Sequence, residues 1–197
     1  PTAAYLTDRV DFATFSSHKF HGLRGVGFVY IKSGKKISPL LTGGGQESDK
    51  RSTTENLAGI AATAKALRLS MEKLDIFTSK TGQMKAVICQ ALLDYPDIFV
   101  FSDEEDFAPH ILTFGIKGVR GEVIVHAFED YDIFISTTSA CSSKAGKPAG
   151  TLIAMGVDKD KAQSAVRLSL DLENDMSQVE QFLTNLKLIY NQTRKVR

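Results

Sequence analysis

Apolar positions along this chain follow two periodicities, and their order sketches a fold. Val10–Phe15 (VDFATF) and Val26–Lys32 (VGFVYIK) are rich in β-branched and aromatic residues, and the segment between them, Ser16 to Gly25, is largely polar. This pattern predicts strand, long loop, strand. Gly43-Gly44-Gly45 disfavours regular structure and predicts a loop over Leu41–Glu47, where backbone can approach another group closely. Ser52 and Glu55 then have the spacing of a capping box. Leu57, Ile60, Ala61, Ala64, Leu67 and Arg68 continue at helical period, predicting a helix to about Ser70. A second helix is predicted over about Ser79–Leu93, with Met84, Val87, Ile88, Ala91 and Leu92 on one stripe, ending before Pro96.

From Asp97 the texture changes to short β-rich runs at 97–101, 110–116, 132–136 and 166–170, with helical candidates near 121–130 and 158–165 between them. The last helix is predicted from Ser177, with Glu180 completing a second capping box, to Thr193. Val179, Phe182, Leu183, Leu186 and Ile189 fall there at core spacing. The later part therefore reads as a compact α+β unit with helices packed on one sheet.

Composition narrows the class. With 197 residues, 43% hydrophobic and 24% charged, the chain is long enough for a real core and fits neither disorder nor a fibrous repeat. No apolar run approaches the roughly 18 residues of a membrane span. The charge balance, 24 − 23 = +1, argues against a dedicated nucleic-acid or anionic-membrane binder. Two cysteines, Cys89 and Cys141, cannot build a disulfide framework. They fit a reducing, cytoplasmic compartment, with a single long-range bridge left open. The chain begins at Pro1 without an initiator Met, which points to a fragment or a processed chain.

Two superficial phosphate motifs fail on context. Gly22-Leu23-Arg24-Gly25-Val26-Gly27 runs into a strand where a dinucleotide fingerprint must open a helix, and Gly45–Ser52 lacks the Gly-Lys-Ser/Thr ending of a P-loop. Ser16-Ser17-His18-Lys19 is more interesting. Hydroxyls and backbone N–H groups in such a turn can hold a phosphate, and a sequestered lysine can act as a Schiff-base nucleophile. Taken alone, the same residues also describe an ordinary polar loop. Cys141 lies in small, polar, Gly- and Pro-containing surroundings near Lys144. These suit a reactive thiolate, although an inert buried cysteine is the alternative. Cys89 falls on the Met84/Ile88/Leu92 helix and reads as core filler. His110 and His126 lack partners at ligand spacing, so no metal site is expected. Asp103–Asp106 reads as a solvated acidic turn, and Arg194–Arg197 as a basic tail.

Four stretches taken in order resemble the NifS-like cysteine desulfurases of the class V aminotransferase family: Ser16-Ser17-His18-Lys19-Phe20-His21-Gly22; Gly43-Gly44-Gly45-Gln46-Glu47 with Arg51-Ser52-Thr53-Thr54-Glu55-Asn56; Ser139-Ala140-Cys141-Ser142-Ser143; and Val166-Arg167-Leu168-Ser169-Leu170. The resemblance covers nearly the whole chain and departs from the family at Thr53, where glycine is usual, and at Asp171 after Leu170, where glycine and a second arginine are usual. It implies an α/β fold of the pyridoxal 5'-phosphate (PLP) fold-type I kind, with residues 1–70 closing the large domain and 71–197 forming a small C-terminal domain. In such enzymes Lys19 would carry PLP covalently, Ser16 and His18 would contact its phosphate, and Thr54 would reach the phosphate bound in the partner subunit of a homodimer. Arg167 would hold the carboxylate of L-cysteine, and Cys141 would take the substrate's sulfur as a persulfide, releasing alanine. The long loop around Cys141 resembles the branch whose cysteine travels between active site and acceptor. A sulfur-acceptor protein follows, either a scaffold for iron–sulfur cluster assembly or a tRNA-thiolation enzyme, with no direct nucleic-acid or membrane contact. The family's ring-stacking histidine and pyridine-pairing aspartate lie upstream of the lysine, so the chain reads as a C-terminal portion that is inactive alone. The competing readings are another class V aminotransferase or lyase, and a non-catalytic docking module for a sulfur acceptor.

Overall fold

The structure, a computed structural model, describes residues 6–102, 107–137 and 150–195, with side chains to residue 193. The chain divides between Asp75 and Ile76 into two compact units.

In the first unit, β1 (Phe12–Ser16) and β2 (Gly27–Ile31) pair antiparallel, from Phe12 opposite Ile31 to Ser16 opposite Gly27. Both predicted strands are present: β2 is trimmed by one residue at each end, whereas β1 starts two residues later than expected and runs one residue further, to Ser16. Between them a single 3₁₀ turn (Ser17–Phe20) follows β1 directly. The glycine-rich stretch leads into one irregular turn at Gln46–Asp49, where Glu47, Ser48 and Asp49 all adopt positive φ (52°, 56° and 62°). This backbone costs L-residues roughly 1–2 kcal/mol each.

Helix α1 (Leu57–Glu72) starts later than the capping-box reading expects, because Asn56 and not Ser52 is its cap. The Asn56 Oδ1 accepts the Gly59 N–H at 3.0 Å. The expected apolar stripe of this helix is also corrected. Within the unit Gly59 and Thr63 are the buried positions, whereas Leu57 is 74% exposed. The element that α1 covers here is the 3₁₀ turn, and only small side chains let a helix approach a tight turn closely.

Helix α2 (Leu74–Leu92) begins five residues ahead of expectation and leads into the second unit. Its Met84, Ile88 and Leu92 are buried as expected; Val87 is not. The second unit is built on an antiparallel sheet of β3 (Ile98–Val100), β4 (Ile111–Ile116), β5 (Ser136–Thr137) and β6 (Val166–Ser169), in the spatial order β3-β4-β6-β5. Two longer helices complete it, α3 (Gly121–Glu129) and α6 (Met176–Lys195), together with two short ones, α4 (Gly150–Ala154) and α5 (Lys159–Gln163). Leu112, Phe114 and Ile116 from β4 and Val166 and Leu168 from β6 meet α2, α3 and α6 in one core. Phe128 and Phe182 stack there, with ring centroids 5.0 Å apart. The stripe read for the last helix holds: Val179, Phe182, Leu186 and Ile189 are buried, and Leu183 packs partly buried against the same core. Cys89 packs at the edge of the same core. Against Gly115 of β4 comes Ser164, whose Oγ would sit 2.2 Å from any Cβ at that position. The bare glycine is what lets the segment after α5 close on the strand.

Two boundaries move for identifiable reasons. The strand expected at 132–136 shrinks to Ser136–Thr137, because the residues before it terminate α3. Asp132 takes a left-handed φ of 57°, and the Ile133 N–H reaches back to the Phe128 carbonyl at 3.1 Å, a Schellman closure. Helix α6 is capped by Asp175, not Ser177. Its Oδ1 accepts the Gln178 N–H at 3.1 Å, and Gln178 Oε1 accepts the Asp175 N–H at 3.2 Å, a reciprocal box set two residues upstream of the one expected.

Candidate functional site

The Ser16–Lys19 turn is shaped by its neighbours on both sides. Phe15 and Phe28, adjacent across the hairpin, stack at 4.7 Å, and Phe20 meets Phe28 edge-on at 6.3 Å. From the other side α1 supplies Thr63, whose Oγ1 lies 2.9 Å from Ser17 Oγ, and Ser70, whose hydroxyl donates to the Phe20 carbonyl at 3.4 Å. Ser17 is completely buried. Its N–H donates to the Val26 carbonyl at 3.0 Å, and its own carbonyl accepts the Gly22 N–H at 2.9 Å. His21 completes the reversal with a left-handed φ of 66°.

With Ser17 turned inward, Ser16, His18 and Lys19 face outward and are exposed. The Ser16 hydroxyl makes no capping bond to the turn it precedes. One short segment thus presents a hydroxyl, an imidazole and a primary amine together. That donor set suits a phosphate and an aldehyde, so these residues fit PLP. Thr54, in the extended approach to α1, is also exposed, and no hydrogen bond links its side chain to the Ser16–Lys19 turn among the described residues. In the nearby glycine-rich stretch, Gln46 folds back over Gly44, leaving its buried Oε1 without a hydrogen-bond partner among the described residues.

The second unit places Arg167 on β6. Val166 and Leu168 on either side point into the core, so strand alternation sends Arg167 to the opposite face. It stands between Thr113 of β4 and Ser136 of β5 in the sheet register. Its Nε is buried with no hydrogen-bond partner among the described residues. A guanidinium held half-buried with an unspent donor suits a planar anion such as a carboxylate. Cys141 lies outside the described residues, in the stretch entered from β5.

Sequence reasoning passed over His110 once it had dismissed a metal site. The residue sits at the mouth of β4, its ring 5.1 Å from that of Phe77, with Nδ1 buried and unpartnered among the described residues. Burial pushes its pKa down; Asp171 pulls upward and Lys85 adds to the lowering. Lys85 itself is buried, donating to the Ala108 carbonyl at 3.2 Å. Ser17 and Thr63 were also missed as a pair. No local signal marks them, because they are 46 positions apart.

Comparison with known proteins places the chain in a family. The family described as Aminotransferase class-V matches residues 7–182. The chain is 48% identical over 191 residues to the "NifS/IcsS protein homolog" of Lactobacillus delbrueckii subsp. bulgaricus, covering 96% of this chain and 50% of that protein. It is 33% identical over 190 residues to "Cysteine desulfurase IscS" of Clostridium botulinum, covering 95% and 48%. Among solved structures, a "NIFS-LIKE PROTEIN" superposes with a TM-score of 0.79 at 33% identity, covering 94% of this chain and 47% of that one. The NifS-like protein of Rickettsia africae gives 0.81 at 27% identity, covering 92% and 48%. The chain spans about half the length of the curated relatives it matches. By fold, by motif order and by family match, it belongs to the class V aminotransferases, with the NifS-like proteins among its relatives.

Proposed function

We propose that this chain is the lysine- and cysteine-bearing portion of a PLP-dependent cysteine desulfurase. The observation that carries the reading is the register of the second sheet. Arg167, the carboxylate-binding candidate, lies directly opposite Ser136, and the strand holding Ser136 runs on into the segment of Cys141. Arg167 is therefore paired with the strand from which the chain continues, four residues past Thr137, to Cys141.

In this reading Ser16 and His18 would hold the phosphate of PLP, Lys19 would hold its aldehyde carbon, and Thr54 would reach the phosphate bound by a second subunit of a homodimer. Residues 1–70 close the large domain and 71–197 form the small one. PLP supplies an electron sink for charge developing on the substrate. Lys19 Nζ, freed when the amine of L-cysteine takes its place, would remove the α-proton and return a proton as general base and acid. Arg167 fixes the substrate through two parallel N–H···O bonds to its carboxylate, which aims the α-proton at Lys19. The Cys141 thiolate attacks the substrate sulfur; an S–S bond forms as the substrate's C–S bond breaks, leaving alanine and a persulfide on Cys141. A protein acceptor, in the cytoplasm, then takes the outer sulfur.

The test uses the full-length protein that carries this chain, supplied with PLP and L-cysteine. Alanine and a Cys141 persulfide form together, and Cys141→Ser keeps the visible absorption of bound PLP while losing the persulfide. Sulfide release by Cys141→Ser at the unsubstituted rate removes Cys141 from the reaction and favours a lyase.

A further inference from the structure

We propose that Ser17 and Thr63 form a buried hydroxyl pair that positions Lys19 for reaction with PLP; the inference rests on the reading of Lys19 as the PLP lysine. Thr63 Oγ1 lies 2.9 Å from Ser17 Oγ and 2.8 Å from the Gly59 carbonyl oxygen. A carbonyl can only accept, so the one Thr63 proton goes to Gly59, and the Ser17 hydroxyl donates to Thr63 Oγ1. The chain of donors runs one way, from the turn into the helix. Every polar atom of Ser17 is then used: N–H to Val26, carbonyl to His21 and Gly22, hydroxyl to Thr63.

The packing around the pair leaves no slack. A Cβ at Gly22 would lie 1.8 Å from Ser17 Oγ, and one at Gly59 would lie 2.6 Å from the Val26 side chain. Both glycines are therefore required for α1 and the hairpin to close on Ser17. Ser70 ties the far end of the turn at the Phe20 carbonyl. Thr63 and Ser70 are seven residues apart and so share one face of α1. Lys19 sits between the two ties, two residues past Ser17, on a side chain with four flexible bonds. The rigid part of its aim is the turn, and what locks the turn to the helix is the hydroxyl pair.

The experiment exposes the 197-residue chain to limiting PLP, reduces the C=N linkage with borohydride, and maps the pyridoxyl-lysines by mass spectrometry. Because borohydride fixes the linkage covalently, weak binding suffices. Lys36 and Lys65, both exposed in the same unit, are internal references. Lys19 is expected to be labelled preferentially, and the preference to fall about fivefold in Thr63→Val and Ser17→Ala, the equilibrium worth of one ordinary hydrogen bond. Thr63→Ser, which keeps the hydroxyl and loses the methyl, should restore it. A merely structural pair would lower the melting temperature of Thr63→Val and leave the labelling ratio unchanged; that result, or Thr63→Ser labelling as poorly as Thr63→Val, overturns the inference while leaving Lys19 as the PLP lysine. An unsubstituted chain with no preference for Lys19 overturns the assignment of Lys19 and the inference with it. If Thr63→Val does not fold, Ser17→Ala decides alone, since it leaves the Thr63 proton on Gly59.

Discussion

Arg167→Met should leave the chain at least as stable as it is now, although Arg167 is the residue proposed to grip the substrate carboxylate. The substitution keeps an unbranched side chain of similar reach and removes the guanidinium. Its Nε is buried without a hydrogen-bond partner among the described residues, and such a group costs about 1–3 kcal/mol relative to its hydrated state. Met and Arg lose comparable rotamer freedom on burial, so that component nearly cancels. The net expectation is a gain of about 1 kcal/mol, which in a unit of this size raises the melting temperature by about 3–6 °C. Equilibrium unfolding in urea, followed by circular dichroism and tyrosine fluorescence, reads the change as a higher midpoint at unchanged slope. On the proposed function, the same substitution in the full-length protein should cut kcat/KM for L-cysteine by about a hundredfold, because the carboxylate would lose a charge-assisted grip of about 3 kcal/mol. Such a trade of stability for binding marks a residue kept for its ligand. A destabilisation of Arg167→Met beyond about 2 kcal/mol would refute this reasoning and make Arg167 a structural member of the sheet.

Three further outcomes test the structure itself. Asn56→Ala should cost about 1 kcal/mol by removing the cap of α1, while Ser52→Ala stays within about 0.5 kcal/mol; the reverse order in thermal melts would reinstate the capping box at Ser52. Phe182→Ala should cost about 3–5 kcal/mol, because its ring is buried and stacked on Phe128, and chemical denaturation showing under 1 kcal/mol would contradict that packing. Stability should fall as pH drops below the ordinary histidine value of 6.5, since burial holds His110 below it: the unfolded chain takes up a proton that the folded one resists, so the loss grows from about pH 6.5 down to the lowered folded value and is absent above it. His110→Phe should flatten melting temperature against pH in that window, and an unchanged slope would mean another group titrates.

Elements with strong periodicity were legible from the residues alone. Val179, Phe182, Leu186 and Ile189 announce a buried helical face because that helix packs on a sheet with large side chains on both sides. Helix α1 misleads for the opposite reason. Its partner in the unit is a turn stabilised by hydrogen bonds, so the buried face carries Gly59 and Thr63, which no hydrophobicity pattern can pick out. Caps were misplaced at both Ser52 and Ser177 because several oxygen-bearing side chains stand close together, and which one caps depends on backbone direction at the helix entry. The roles proposed for Lys19, Cys141 and Arg167 are not readable from any of these residues singly; a polar loop, a lone cysteine and a strand arginine are each commonplace. The order of four short motifs raised them above background, and the sheet register then put Arg167 beside the strand that leads to Cys141.

That register also sets a leash. Thr137 is hydrogen-bonded into the sheet opposite Val166, and Cys141 follows it by four residues. A fully extended chain covers at most about 3.6 Å per residue, so the Cα of Cys141 can never stand more than about 14 Å from that of Thr137 while β5 stays paired. On the other side the span to Gly150, where α4 begins, allows about 32 Å by the same rule. The short arm governs. Chain length alone confines the Cα of Cys141 to a sphere centred next to Arg167, so on the proposed function an acceptor collecting sulfur from Cys141 has to bring its own nucleophile to that edge of the sheet.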